Sequence, residues 1–133
     1  MELPKPEVTE ISRPFWDALR DGHLVFQRCD CGNNWLPPRR ECPACLRSGA
    51  SWQRASGNGR LLSWVVYHTA YHPAFEARLP YHVALVQLDE GPRLLTQVVE
   101  GHEALTGDAR VQLKVEWEGD FALARFRLHT ASA

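Results

Sequence analysis

The chain has 133 residues, with 15 basic and 16 acidic side chains and a formal net charge of −1. That near-neutral balance disfavours a bulk-electrostatic binder of nucleic acid or membrane, which would show a basic excess. Apolar residues at 44% and charged residues at 23% are ordinary globular usage, and no apolar run nears the roughly 20 residues a membrane-spanning helix needs.

Residues 1–10 read as an extended tail. Met1 to Glu7 is acidic and Pro-rich with no apolar stretch of the kind a secretion signal needs, so a cytoplasmic protein is expected. Residues 12–21 read as a short helix, with Pro14 in the first turn and Gly22 placed to end it. Phe15, Trp16 and Leu19 share one face of it. Ten residues are too few for a stable isolated helix, so that face must dock, either on the rest of the chain or on a partner. His23 to Arg28 reads as a strand running into the first cysteine.

All four cysteines follow, as Cys29-Asp30-Cys31-Gly32 and Cys42-Pro43-Ala44-Cys45. Two short-spaced pairs separated by a loop are the layout of a zinc ribbon, in which four thiolates close a tetrahedron. The first pair is one residue shorter than the usual knuckle, and Gly32 lends it local freedom. Four cysteine ligands leave no position for water, so the expected role is structural: one zinc per chain, stapling a segment too small to bury its own core. Iron–sulfur ligation and a site that folds without metal are the alternatives; disulfides are disfavoured in a cytoplasmic chain.

Residues 46–58 are polar and end in the turn signal Gly57-Asn58-Gly59. Beyond them the pattern is β. Strands are expected at Arg60 to Thr69, Tyr81 to Leu88, Arg93 to Val99, Arg110 to Glu118 and Phe121 to Leu128. In the fourth, Val111, Leu113, Val115 and Trp117 share one face, and in the fifth Arg125 and Arg127 do. Five short strands without an intervening long helix suggest a small closed barrel.

Charge is unevenly spread. Residues 28–60 carry six Arg against Asp30 and Glu41, a net of +4, while residues 61–133 are net −3. No G-x-S-x-G elbow, phosphate-binding Gly-rich loop or H-E-x-x-H is present, so no catalytic residue is assigned. His68 and His72 are spaced H-x-x-x-H, but Pro73 follows and the segment reads as strand then loop.

Several segments together resemble the DUF35 family. They are Pro14 to Leu19, Gln27 to Gly32, Pro37-Pro38-Arg39, Cys42 to Cys45, Leu79 to Gly91 and Arg125-Phe126-Arg127. The resemblance covers roughly residues 10–129, with Leu46 standing where members place Gly. It implies a mainly β protein: an N-terminal helix and rubredoxin-like zinc ribbon followed by a five-stranded OB-fold barrel. The expected divisions are 1–22 for tail and helix, 23–56 for the ribbon and 57–133 for the OB-fold. The ribbon ligands would be Cys29, Cys31, Cys42 and Cys45.

The resemblance also implies a non-catalytic accessory or bridging subunit of a thiolase-superfamily complex. Such complexes act on acyl-CoA or related thioesters by acyl transfer, condensation or retro-aldol cleavage. A second, hydroxymethylglutaryl-CoA-synthase-like subunit is a further partner, and the CoA thioester is shared with the partner. Candidate substrate or partner contacts are Trp35, Arg39 and Arg40 between the cysteine pairs. Tyr71, His72 and Phe75 are further candidates, on the loop after the first barrel strand. Phe15, Trp16 and Leu19 are the candidate partner helix face. Two other readings stand beside this one: a single-stranded nucleic-acid binder, which the acidic barrel disfavours, and a stand-alone acyl-CoA-binding protein or thioesterase.

Overall fold

The computed structural model describes residues 8–67, 81–100 and 105–129. Helix α1 (Arg13–Arg20) starts one turn after a reciprocal cap. The Thr9 N–H donates to Ser12 Oγ at 2.9 Å, and the Ser12 N–H donates to Thr9 Oγ1 at 3.1 Å. At the other end Gly22 sits at φ 85°, and the Gly22 and His23 N–H groups donate to the Leu19 and Ala18 carbonyls at 2.9 and 2.8 Å. This crossed pair of bonds is the glycine-terminated stop that the sequence suggests. The apolar face docks on the chain itself. Leu19 is fully buried, and Trp16 meets Phe121 edge to face at 6.1 Å.

The ribbon is a three-stranded antiparallel sheet with β1 (Val25–Arg28) between β2 (Asn34–Trp35) and β3 (Ser51–Arg54). Strand β3 lies in the stretch that reads as a polar connector. Its Ser-Trp-Gln-Arg sequence buries little on either face, and four consecutive register pairs with β1 hold it there.

The barrel strands are β4 (Asn58–Tyr67), β5 (Tyr81–Leu88), β6 (Arg93–Thr96), β7 (Val98–Glu100), β8 (Arg110–Glu118) and β9 (Phe121–Leu128). Their order is β6-β5-β4-β8-β9-β7, and β7 runs parallel to β9. Strands β6 and β7 are halves of one strand broken at Gln97, so the sheet closes as a five-stranded barrel. The break is imposed from outside. The Val98 N–H donates to His82 Nε2 at 2.9 Å, and Gln97 Nε2 donates to the His82 carbonyl at 3.1 Å. Strand β4 bulges between Leu61 and Ser63 and pairs with β8 only through Asn58, Gly59 and Arg60. The far half of β8 therefore leaves the wall, and Trp117 is 53% exposed although Val111, on the same face, is fully buried.

One core runs through these parts: Leu19, Leu24, Phe26 and Ala55 are buried in the same cluster as Leu61, Val86, Val98, Val111 and Phe126. Polar ties reinforce the joint. Asn34 Nδ2 donates to the Glu90 carbonyl at 3.0 Å, and the Ser56 N–H donates to Glu90 Oε2 at 2.8 Å. Gly59 lies where β4 and β5 approach closely, since a Cβ there would lie 2.5 Å from the Gln87 carbonyl oxygen. Gly59→Ala is expected to cost about 1–3 kcal/mol through forced strand separation, read as a lower urea midpoint at unchanged slope.

Candidate metal centre and apolar groove

Each cysteine pair sits on a tight turn built by backbone bonds. Cys29 ends just past β1; its N–H donates to the Asn33 carbonyl at 3.0 Å and its carbonyl accepts from the Gly32 N–H at 2.8 Å. Gly32 holds φ 94°, a conformation open to glycine. In the second turn the Ala44 and Cys45 N–H groups point at Cys42 Sγ, at 3.4 and 3.5 Å. The Leu46 N–H closes on the Cys42 carbonyl at 2.8 Å, and Leu46 takes φ 65°, the left-handed conformation for which glycine is better suited.

The four sulfurs converge. Cys29 Sγ lies 3.4 Å from Cys45 Sγ, Cys31 Sγ lies 3.7 Å from Cys42 Sγ, and all four fall within 4.8 Å of one another. A tetrahedron with metal–sulfur bonds near 2.3 Å has edges of about 3.8 Å, so the four thiols fit a metal ion such as zinc. Cys29 and Cys42 are buried, Cys45 is half-buried and Cys31 is exposed.

The surroundings favour thiolates unevenly. Cys45 is drawn down to about 6, first by the Arg47 backbone N–H and then by the Arg47 side chain. Burial opposes a charged Cys42, but the N–H groups of Cys45 and Ala44 and the Asn33 amide bring it below the ordinary thiol range. The Cys31 N–H favours the Cys29 thiolate, yet the Cys45 sulfur and burial outweigh it and push Cys29 up to about 11. Without metal the cluster thus keeps some protons that an ion would have to displace.

Trp35 packs beside the buried sulfurs at 5% exposure, with no hydrogen-bond partner for its indole Nε1. It is ribbon core, whereas Arg39 and Arg40 are exposed. The backbone of Arg39 is fixed by a side chain that sequence reading passed over. Gln27 is 5% exposed; its Nε2 donates to the Arg39 carbonyl at 2.8 Å and its Oε1 accepts from the Arg39 N–H at 2.7 Å. Tyr71, His72 and Phe75 lie outside the described residues, as does His68.

That pinned loop forms one wall of a cavity of about 530 Å³. Leu36, Pro37 and Pro38 stand on one side, and Ser12, Phe15 and Trp16 of the helical segment on another. The floor is the barrel, with Leu85, Leu94, Leu95, Leu123 and Ala124. Leu85 and Leu95 are cross-strand partners on the face opposite buried Ala84 and Val86. Among the described residues the charged ones lining it are Arg93 and Arg125. Phe15 and Trp16 thus serve twice, packed on the core and lining the groove, while Leu19 is wholly internal. A sequence signal for the groove exists in β9. Ala122 and Phe126 face inward, yet Phe121 and Leu123 on the other face are also apolar, so the outer face needs cover.

A cysteine-clustered ribbon joined through a shared core to a closed five-stranded barrel defines a ribbon-plus-OB-fold protein. The model of the "ChsH2, C-terminal OB-fold domain" family matches residues 52–116. A "DUF35 domain-containing scaffold protein" of Methanothermobacter thermautotrophicus is 36% identical over 95 residues, covering 70% of this chain and 71% of that protein. The chain belongs to the DUF35 family. A "Probable enoyl-CoA hydratase alpha subunit" of Thermomonospora curvata is 39% identical over 97 residues, 72% of this chain but 30% of that longer protein. The solved structure of an "Ltp2-ChsH2(DUF35) aldolase" chain matches with a TM-score of 0.80 at 33% identity, covering 93% of this chain and 98% of that one.

Two outcomes are expected. In metal-free protein at pH 7, iodoacetamide should modify Cys45 well before Cys29, and zinc should protect both; mass spectrometry of timed samples would show equal rates if the sulfurs were not so arranged. Gln27→Leu leaves two backbone groups of Arg39 unpaired and should cost about 1–3 kcal/mol, measured by thermal unfolding of the zinc-loaded protein.

Proposed function

We propose that this chain is a non-catalytic subunit of an enzyme complex acting on acyl-CoA or related thioesters. The observation that carries this reading is the near end-to-end likeness to the DUF35 chain of a solved aldolase, which extends over ribbon and barrel alike. The hydratase-subunit name of another relative points to the same region of metabolism. The bond made or broken would belong to the partner, a thiolase-superfamily enzyme, working by acyl transfer, condensation or retro-aldol cleavage. A second, hydroxymethylglutaryl-CoA-synthase-like subunit fits the same reading.

Within that complex the four cysteines would hold one zinc per chain. A closed tetrahedron of thiolates cross-links the ribbon and leaves no position for substrate. The chain's own residues do the positioning. Gln27 fixes the course of the Arg39 backbone, which leaves the Arg39 and Arg40 guanidiniums outside, where planar donor forks suit a phosphate or carboxylate. Tyr71, His72 and Phe75 are proposed to meet the shared thioester or the partner. The helix, ribbon and OB-fold would act as three parts of one cytoplasmic scaffold, divided near residues 22 and 56.

The deciding experiment is affinity purification of the tagged chain from its native host with mass spectrometry and metal analysis. A stoichiometric thiolase-superfamily protein and one zinc per chain are expected. Turnover of acyl-CoA by the purified chain alone would replace the subunit reading with that of a self-sufficient enzyme.

A further inference from the structure

The four sulfurs converge on one point but do not share one environment. Cys42 is buried, and three N–H donors fix its sulfur in place: those of Ala44 and Cys45 at 3.4 and 3.5 Å and the Asn33 side-chain amide at 3.6 Å. Cys29 is buried and Cys45 half-buried. Cys31 is the exposed member, on the shorter of the two turns and directly before Gly32. Its sulfur lies 3.7 Å from Cys42 Sγ, while Cys29 Sγ and Cys45 Sγ form a closer pair at 3.4 Å. Proximity and access thus point to different pairs.

Around a bound ion every ligand sulfur is a thiolate, so access decides which one a dissolved oxidant meets first. An exposed thiolate with a second sulfur beside it is the arrangement that oxidants convert reversibly into a disulfide. Cys31 has both properties, with Cys42 held beside it.

Resting on the zinc reading above, we propose that the cluster is a peroxide-sensitive switch, entered at Cys31 and resolved by Cys42. Cys31 Sγ attacks one oxygen of hydrogen peroxide; the O–O bond breaks, hydroxide leaves and a sulfenic acid forms. Cys42 Sγ then attacks Cys31 Sγ; the S–O bond breaks, a second hydroxide leaves and the two sulfurs are joined. Two thiolates have lost two electrons, and one peroxide has been reduced to two hydroxides, which take their protons from water. The new bond spans the two cysteine turns and removes two of the four ligands, so Cys29 and Cys45 alone no longer close a tetrahedron. The ion is released, and the ribbon tip loses its clamp. Leu36, Pro37 and Pro38 of the groove wall lie between the two turns in sequence, so the change reaches the groove. A thiol reductant and zinc reverse it.

The test treats the zinc-loaded full chain with less than one equivalent of hydrogen peroxide. A chromogenic chelator follows zinc release, and mass spectrometry after alkylation maps the disulfides. Zinc should appear in step with a Cys31–Cys42 disulfide, and dithiothreitol with added zinc should restore the loaded chain. Cys31→His keeps a set of four ligands that zinc accepts and removes the entry thiolate, so it should release zinc about tenfold or more slowly. A first disulfide between Cys29 and Cys45 would overturn the proposal. So would zinc that stays bound while peroxide is consumed, or a Cys31→His chain that releases zinc as fast as the original. If that variant binds no zinc, the disulfide map of the unsubstituted chain decides alone. A chain that folds without zinc removes the zinc reading and this proposal with it, and leaves the subunit reading standing.

Discussion

The ribbon tip is held by sulfur where apolar burial runs out. The buried cluster there consists of Cys29, Trp35 and Cys42, with Cys45 and Ala50 partly covered. Fixing a residue's backbone costs about 1–2 kcal/mol, and one tryptophan with two small thiols cannot offset that over the whole stretch from Cys29 to Cys45. Convergence of four sulfurs within 4.8 Å offers the missing constraint, because an ion bound there would add folding free energy. What lies between the two cysteine pairs then inherits a fixed course. Strand β2 is only two residues long, and the loop after it is tied down by the Gln27 amide on the Arg39 backbone. The Leu36-Pro37-Pro38 wall of the groove hangs between those two anchors.

The barrel was legible because its strands alternate. Tyr81–Leu88, Arg110–Glu118 and Phe121–Leu128 stand where the pattern puts them. Strand β3 was not, because both its faces are wet and its pairing is a backbone matter that leaves no hydrophobic rhythm. The break at Gln97 was not, because its cause is His82, fifteen residues away and on another strand. Trp117 followed the alternation and still reached water, since alternation gives a face but not how far a neighbouring strand accompanies it. Of the candidate site, the cysteine cluster was readable from spacing and the groove was not. Its described lining comes from five separated stretches of chain, and its polar pin, Gln27, sits among apolar residues of a strand as an apparent irregularity.

The basic excess of residues 28–60 also reads differently in three dimensions. Arg60 spans Asp108 and Gln87, at 3.3 and 3.0 Å. Arg28 reaches Asn34 at 3.4 Å. Arg47 leans on the Cys45 sulfur and is itself held in its charged form by it. Four thiolates around a divalent ion would carry a net charge of about −2, which part of this positive charge would offset. The surplus that faces outward is small, and Arg39 and Arg40 supply much of it. This is too little for the salt-driven binding of a phosphate backbone and enough to orient a single anionic group.

Linkage then ties the two features of the molecule together. The groove exists only while helix, ribbon loop and barrel are all in place, and the loop is in place only while the cysteine turns and Gln27 hold it. Anything that binds across all three walls binds the assembled chain and not its loosened forms, so it stabilises that assembly by mass action. The effect would be reciprocal: an ion that favoured the closed ribbon would raise affinity at the groove, and an occupied groove would tighten the ion by the same factor. The carrier of such a coupling would be short, running from Cys29 back two residues to Gln27 and across to the Arg39 backbone. A groove built this way is complete only when helix, ribbon and barrel are all folded.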